Sequence, residues 1–136
     1  MTVSFVIPTY NEKDNIIKLI NKIINTVKKT AFEYQIIVVD DNSPDKTGVI
    51  CKNYFYNNKR IITYIRKKNK GFAFAICYGI EKSKGKIIIV MDADFSHNPS
   101  LIPQMLSKIK NHDIVIASRY AKNGGGENKE RFWLSK

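Results

Sequence analysis

A chain of 136 residues with 43% hydrophobic and 26% charged residues has the size and balance of one globular domain, with a real core and no room for a second full domain. Its formal charge of +11 suits an anionic partner (nucleotide, nucleic acid or membrane surface) or a solvated basic surface, and Lys18, Lys22, Lys28 and Lys29 on polar helix faces favour the latter. No basic motif with interleaved aromatics points to nucleic acid, and no run approaches the roughly 18–20 apolar residues of a membrane span. The chain then alternates strand and helix patterns. Residues 3–7 are a short, β-branched apolar run bounded by Pro8, a buried strand. Apolar residues recur at Ile16, Ile17, Leu19, Ile20, Ile23, Ile24 and Val27, which is the spacing of a helix over 12–29 with Asn11 as N-cap. Residues 34–39 form the second strand. A short helix over 45–56 is entered through the Ser43-Pro44 turn. Residues 60–65 are the third strand, 67–70 a basic turn, and 71–82 a helix that is closed off by Gly85. The fourth strand is 87–91. A helix over 99–110 carries Leu101, Ile102, Met105, Leu106 and Ile109 on its apolar side, and 113–117 read as a fifth strand. From Lys122 the sequence is rich in glycine and charge, so a domain over 1–121 with a loop and tail over 122–136 is expected.

The two cysteines, Cys51 and Cys77, lie inside patterned segments without metal-ligand spacing, as reduced thiols of a cytosolic protein would. The apolar start at 3–7 is too short for a signal peptide and is followed by Pro8. Membrane contact is therefore expected to be peripheral, or made by segments absent from this chain.

Strands apolar on both faces, separated by helices, imply a mostly parallel sheet with helices on both sides. In such sheets ligands bind at the carboxyl ends of the strands. Those ends are Pro8-Thr9-Tyr10, Asp40-Asp41-Asn42, Arg66-Lys67-Lys68, Asp92-Ala93-Asp94 and Ser118-Arg119-Tyr120. Two carboxylates one residue apart, just past a buried strand, are costly unless paired, hydrated or bound to a cation. Mg²⁺ is commonly held by one or two carboxylates plus substrate phosphates, so Asp92-Ala93-Asp94 suits a divalent metal on a diphosphate. The competing reading is that these aspartates cap the next turn. Asp40-Asp41 could accept bonds from a base or ribose, although Asp-Asn-Ser-Pro is also good turn chemistry. Arg119 could bind a phosphate through its planar fork. His97, in a turn before Asn98-Pro99, reads as structural. No Ser-His-Asp or Cys-His set, P-loop or Gly-x-Gly-x-x-Gly after the first strand is present, which counts against an ATPase or a nicotinamide dehydrogenase.

Four segments, FVIPTYNEKDNI, IIVVDDNSPDKT, IIIVMDADFSHNPSLIP and DIVIASRYAKNGGG, resemble in order and spacing the dolichol-phosphate mannosyltransferase branch of glycosyltransferase family 2. The resemblance implies a GT-A type fold, a GDP-mannose donor, a dolichyl or polyprenyl phosphate acceptor and a divalent cation, Mg²⁺ or Mn²⁺. It implies nucleotide contacts at Pro8, Tyr10 and Glu12, and contacts to the base and its surroundings at Val39 and Asp41. Asp92, Ala93 and Asp94 would hold ribose, diphosphate and metal, with Ser96 beside the metal. Asp94 and Arg119 would be the catalytic pair, Arg119 facing the reacting phosphates. Arg131 and Ser135 match a family Arg-x-x-x-Ser that contacts the acceptor phosphate, so the tail lies on the acceptor side. A lipid phosphate is already an anionic nucleophile, and no general base is expected. The place of action would be the cytosolic face of a membrane.

The chain departs from the family at Asp45-Lys46-Thr47, where Asp-Gly-Thr is usual, and at Ala73, where a glycine is usual. The stretch after Gly124-Gly125-Gly126 is about two residues shorter than in the family. The family's catalytic domain continues well beyond the length of this chain, so the expectation is a fragment, a split gene product, or a protein that needs a partner chain to supply the rest. Two alternatives stay open: the same fold with another donor such as UDP-glucose, and a non-catalytic nucleotide-sugar-binding remnant or partner subunit.

Overall fold

The computed structural model describes residues 1–118. The expectations for Arg119, Arg131 and Ser135, and for the tail over 122–136, lie outside the described residues. A first compact unit spans Met1–Pro103 and a second begins at Gln104.

Strand β1 (Thr2–Thr9) is followed by α1 (Ile16–Val27), β2 (Glu33–Asp40), α2 (Thr47–Tyr54), β3 (Ile61–Ile65), α3 (Phe72–Glu81) and β4 (Ile87–Val90). A 3₁₀ turn at Pro99–Leu101 leads into α4 (Ile102–Lys108), which ends in a second 3₁₀ turn at Ile109–Asn111. The four strands form one parallel sheet in the order β3-β2-β1-β4. The α/β architecture read from the sequence is thus the one observed.

Register decides which face each side chain joins. Ser4, Val6 and Pro8 on β1 pair with Gln35, Ile37 and Val39 on β2, and this face lies under α3. Gly79 lets α3 come close, because a Cβ at that position would collide with Val6 and crowd Val39. The opposite face, with Phe5, Ile7, Ile36 and Val38, is buried together with Ile16, Leu19, Ile20 and Ile23 of α1. On that face Cys51 of α2 accepts a bond from the Thr63 hydroxyl at 3.4 Å, so α2 rests against β3. Pro8 sits inside a central strand without cost. The Val6 carbonyl faces β4, so Pro8, two residues on, faces the same way, past the last β4 pairing at Val90.

Two expectations are corrected. Helix α1 starts at Ile16 rather than Glu12, and Asn11 is not its N-cap. Asn11 has φ 57°, and the N–H groups of Asn11, Glu12 and Lys13 donate to Ser43, to Thr47 at the start of α2 and to Asp45. Those amides are satisfied across the fold, so the helix begins only after them. The fifth strand over 113–117 does not form. Among the described residues nothing pairs with it, and Ile114 and Ile116 are 76% and 80% exposed. A β-branched run is only strand-competent; a neighbour with free ladder groups makes it a strand. Among the described residues β4 has a neighbour on one side only, and its Ile88 and Val90 are partly exposed on the α3 side.

Candidate functional site

The carboxyl ends of the four strands open on a cleft of about 500 Å³ within the first unit. Its wall is Pro8, Thr9, Tyr10 and Glu12 from the end of β1, Asp41 from the end of β2, and Asp92, Ala93 and Asp94 from the end of β4. Lys70, Gly71, Phe72 and Ala75 complete it from the start of α3. The sequence-derived residues Pro8, Tyr10, Glu12, Asp41, Asp92, Ala93 and Asp94 therefore meet around one space. Val39 does not join them: it is fully buried with Ile37 and Ala75 beneath α3. Ser96 lies outside the wall, exposed, with its N–H donating to Asp94 Oδ1 at 2.9 Å.

The β1 side of the cleft is held by hydroxyl and carboxylate bridges to the loop before α2 and to its first residue, Thr47. Ser43 Oγ accepts from Asn11 N–H at 3.0 Å, and Thr47 Oγ1 accepts from Glu12 N–H at 2.9 Å. Asp45 accepts from Lys13 N–H and from both N–H and hydroxyl of Thr47. Its slight burial raises the Asp45 pKa, but the Thr47 and Lys13 hydrogen bonds and the Lys13 charge outweigh that and hold it below the usual carboxylate value. Glu12 accepts from the Asn15 amide at 2.8 Å. Ser43 itself is tied to the buried Asp40 by its N–H and its hydroxyl. The Thr9 hydroxyl is buried and unpartnered, a single orphan among the described side chains, and by register it lies on the α1 face of the sheet with Phe5 and Ile7.

Asp41 is more occupied than the sequence suggests. Arg66 Nε donates to Oδ1 at 2.8 Å, Arg66 Nη2 donates to the same oxygen, and Gly71 N–H donates to Oδ2 at 2.7 Å. Arg66 also lies over the Tyr78 ring, 5.9 Å from its centroid. The pair Arg66–Asp41 thus anchors the start of α3, where Gly71 has φ 128°. At the other end of the cleft Asp92 N–H donates to His97 Nδ1 at 3.1 Å, with His97 Nε2 3.7 Å from Asp92 Oδ2. Phe95 turns the backbone at φ 62°.

Asp92 and Asp94 supply hard oxygen donors at the mouth of the cleft. Among the described residues no group of three His, Cys, Asp or Glu forms a protein-only metal cage. Two carboxylates at an open cleft still fit a Mg²⁺-type cation that completes its shell with phosphate oxygens and water.

The sheet, the cleft at its carboxyl edge and the Asp-x-Asp after β4 describe a GT-A type sugar-transferase domain. The chain belongs to glycosyl transferase family 2, whose family model matches residues 4–135. It is 42% identical over 130 residues to a dolichol-phosphate mannosyltransferase of Pyrococcus furiosus, covering 94% of this chain and 36% of that protein. It is 31% identical over 136 residues to an undecaprenyl-phosphate 4-deoxy-4-formamido-L-arabinose transferase of Pseudomonas fluorescens, covering 98% of this chain and 39% of that protein. The chain thus spans little more than a third of the length of these curated relatives. Among solved structures it resembles the mannosyltransferase PcManGT of Pyrobaculum calidifontis in complex with GDP-Man and Mn²⁺, with a TM-score of 0.55 and 22% identity over 68% of this chain and 27% of that one. That likeness establishes the fold.

Sequence reasoning passed over Lys70, Phe72 and Ala75 as cleft residues. The available signal was their place just after the third strand end, where the same carboxyl-edge rule applies.

Proposed function

We propose that this chain binds a nucleoside diphosphate sugar, GDP-mannose, and takes part in inverting transfer of its mannose to a dolichyl or other polyprenyl phosphate. The observation that carries this reading is that Asp92 and Asp94 after β4 share one cleft with Tyr10 and Glu12 after β1 and Asp41 after β2. The relative from Pyrococcus furiosus supports mannose and a lipid phosphate; that from Pseudomonas fluorescens supports the lipid phosphate with a different sugar.

Asp92 and Asp94 would hold a divalent cation, Mg²⁺ or Mn²⁺. When bound, that ion supplies neutralisation of the charge on the departing diphosphate. Pro8, Tyr10 and Glu12 would fix the nucleotide from the β1 side. The reaction joins an oxygen of the acceptor phosphate to the anomeric carbon as the bond to the diphosphate oxygen breaks on the opposite face. The acceptor is already anionic, so no side chain has to remove a proton. Arg119 is proposed to face the phosphates, and Arg131 and Ser135 to meet the acceptor. The acceptor is a lipid, so the site is proposed to work against the cytosolic face of a membrane, where basic residues contribute on the order of 1 kcal/mol each. No helix among the described residues is long and apolar enough to cross a bilayer.

The test is transfer of radiolabelled mannose from GDP-mannose to dolichyl phosphate with Mn²⁺ or Mg²⁺, run beside UDP-glucose. Label in the lipid fraction from GDP-mannose supports the reading. Transfer from UDP-glucose alone rejects the donor. Metal-dependent GDP-mannose binding without transfer rejects catalysis by this chain alone and supports a donor-binding partner.

A further inference from the structure

The strand order fixes which end of the cleft suits which part of a nucleotide. Asp92 and Asp94 follow β4, at one side of the sheet. Asp41 follows β2, two strands away, and Lys70, Gly71 and Phe72 lead from β3 into α3 beside it. Adjacent strands are ~4.8 Å apart, so the two ends are separated by roughly 10 Å, about the reach from a diphosphate to its base. With the diphosphate at the aspartates, the base lies toward Phe72.

Phe72 is 61% exposed, opens α3 at its first residue, and lines the cleft. Its position is nevertheless firmly set, because the preceding Gly71 N–H is held by Asp41 and the Gly71 carbonyl accepts from Arg66 at 3.3 Å. Tyr10, 56% exposed, lines the same cleft from β1. An exposed aromatic ring on a fixed backbone is an apolar face for a planar base, and base–aromatic stacking tolerates any base.

We propose that Phe72 is a nucleobase-stacking residue of the donor site, carried on backbone that Asp41 holds through Gly71 N–H. The proposal rests on the nucleoside diphosphate reading above. Phe74, two residues along α3, supplies an internal control: it is 62% exposed and lies outside the cleft wall.

The experiment is calorimetric titration of wild type, Phe72→Ala and Phe74→Ala with GDP, UDP and inorganic pyrophosphate, each with Mn²⁺. Phe72→Ala should weaken the nucleoside diphosphate at least tenfold and leave pyrophosphate within twofold of wild type. Phe74→Ala should leave both within twofold. Phe72→Leu, which keeps an apolar side chain but removes the ring, should behave as Phe72→Ala does. Equal nucleotide affinity in wild type and Phe72→Ala overturns the stacking role, as does an equal loss of nucleotide and pyrophosphate. Failure of wild type to bind either nucleotide overturns the donor reading itself, and that result is visible before any variant is compared.

Discussion

Arg66, at the end of β3, is paired with Asp41, at the end of β2, and the two side chains are only 9% and 10% exposed. Asp41 spends its second oxygen on Gly71 N–H, so one ion pair joins two strand ends to the start of α3. Removing one member of a buried pair leaves the other charge uncompensated and typically costs about 3–5 kcal/mol. Arg66→Ala should therefore lose about 3 kcal/mol of unfolding free energy in urea. Arg66→Lys should fall in between, since an ammonium lacks the planar fork. A loss below about 1 kcal/mol for Arg66→Ala would mean the pair is solvated in solution.

Helix α3 depends on a different close approach. A Cβ at Gly79 would collide with Val6 and lie 3.3 Å from Val39 Cγ2, both in the sheet. Overpacking of this kind costs about 1–3 kcal/mol, which exceeds the gain of under about 1 kcal/mol from replacing a helical glycine by alanine. Gly79→Ala should lower the urea midpoint. An unchanged or raised midpoint would show that α3 shifts freely on the sheet.

Much of this fold is legible in the sequence because each strand is a short apolar run and α1 carries a 3.6-residue apolar stripe, all of it buried except Ile17. The cleft was legible for the same reason: strand ends locate it, and the side chains there are few. The unread parts depend on contacts distant in sequence. Asn11 looks like a helix cap until Ser43, 32 residues on, claims its amide. Asp41 looks free until Arg66 and Gly71 arrive from beyond β3. Val39 sits on the α3 face by register alone, and a strand apolar on both faces does not reveal its parity. The run over 113–117 has strand chemistry, but pairing is a property of a neighbour.

Asp92 and Asp94 are proposed to carry the cation, so each should be needed for metal-dependent nucleotide binding. Asp92→Ala and Asp94→Ala should each weaken GDP-mannose in Mn²⁺ by at least about tenfold, or 1.4 kcal/mol. Excess chelator should abolish the difference between these variants and wild type. Wild-type affinity that is indifferent to chelator would contradict a metal role. Circular dichroism should be unchanged, since Asp94 is exposed and Asp92 is partly so.

Lys46 marks a position where the backbone asks for another residue. It is exposed and left-handed, at φ 66° and ψ 24°, just before α2. That conformation costs a side-chain-bearing residue about 1–2 kcal/mol, against about 0.5–1 kcal/mol of extra chain entropy for glycine. The Lys46 N–H bond to the Ser43 carbonyl and the Ile50 N–H bond to the Lys46 carbonyl use only backbone atoms, so both survive substitution. Lys46→Gly should stabilise the protein by about 0.5–1 kcal/mol in thermal or urea melts. A loss of stability would indicate that the lysine side chain makes a contact that outweighs its strain.

The two cysteines should separate sharply in reactivity, because one is buried and the other exposed. Cys51 is fully buried, and burial, reinforced by the negative charge of Asp40, pushes its thiol up to about 11 despite the Thr63 hydrogen bond, from an ordinary value of 9.0. Cys77 is exposed. At pH 8 a thiol reagent should label Cys77 in the native protein and reach Cys51 only on unfolding. The linkage has a definite sign. Below pH 9 the Cys51 thiol is protonated in both states and its contribution is intact. Between pH 9 and about 11 the unfolded chain releases this proton while the folded chain keeps it, so stability falls as pH rises, by up to about 2–3 kcal/mol. Tyrosines and lysines titrate in the same range, so the reading is a difference: Cys51→Ala should start less stable and lose stability less steeply across that window. Parallel curves for the two proteins would show that the Cys51 proton is released as easily from the folded state as from the unfolded one.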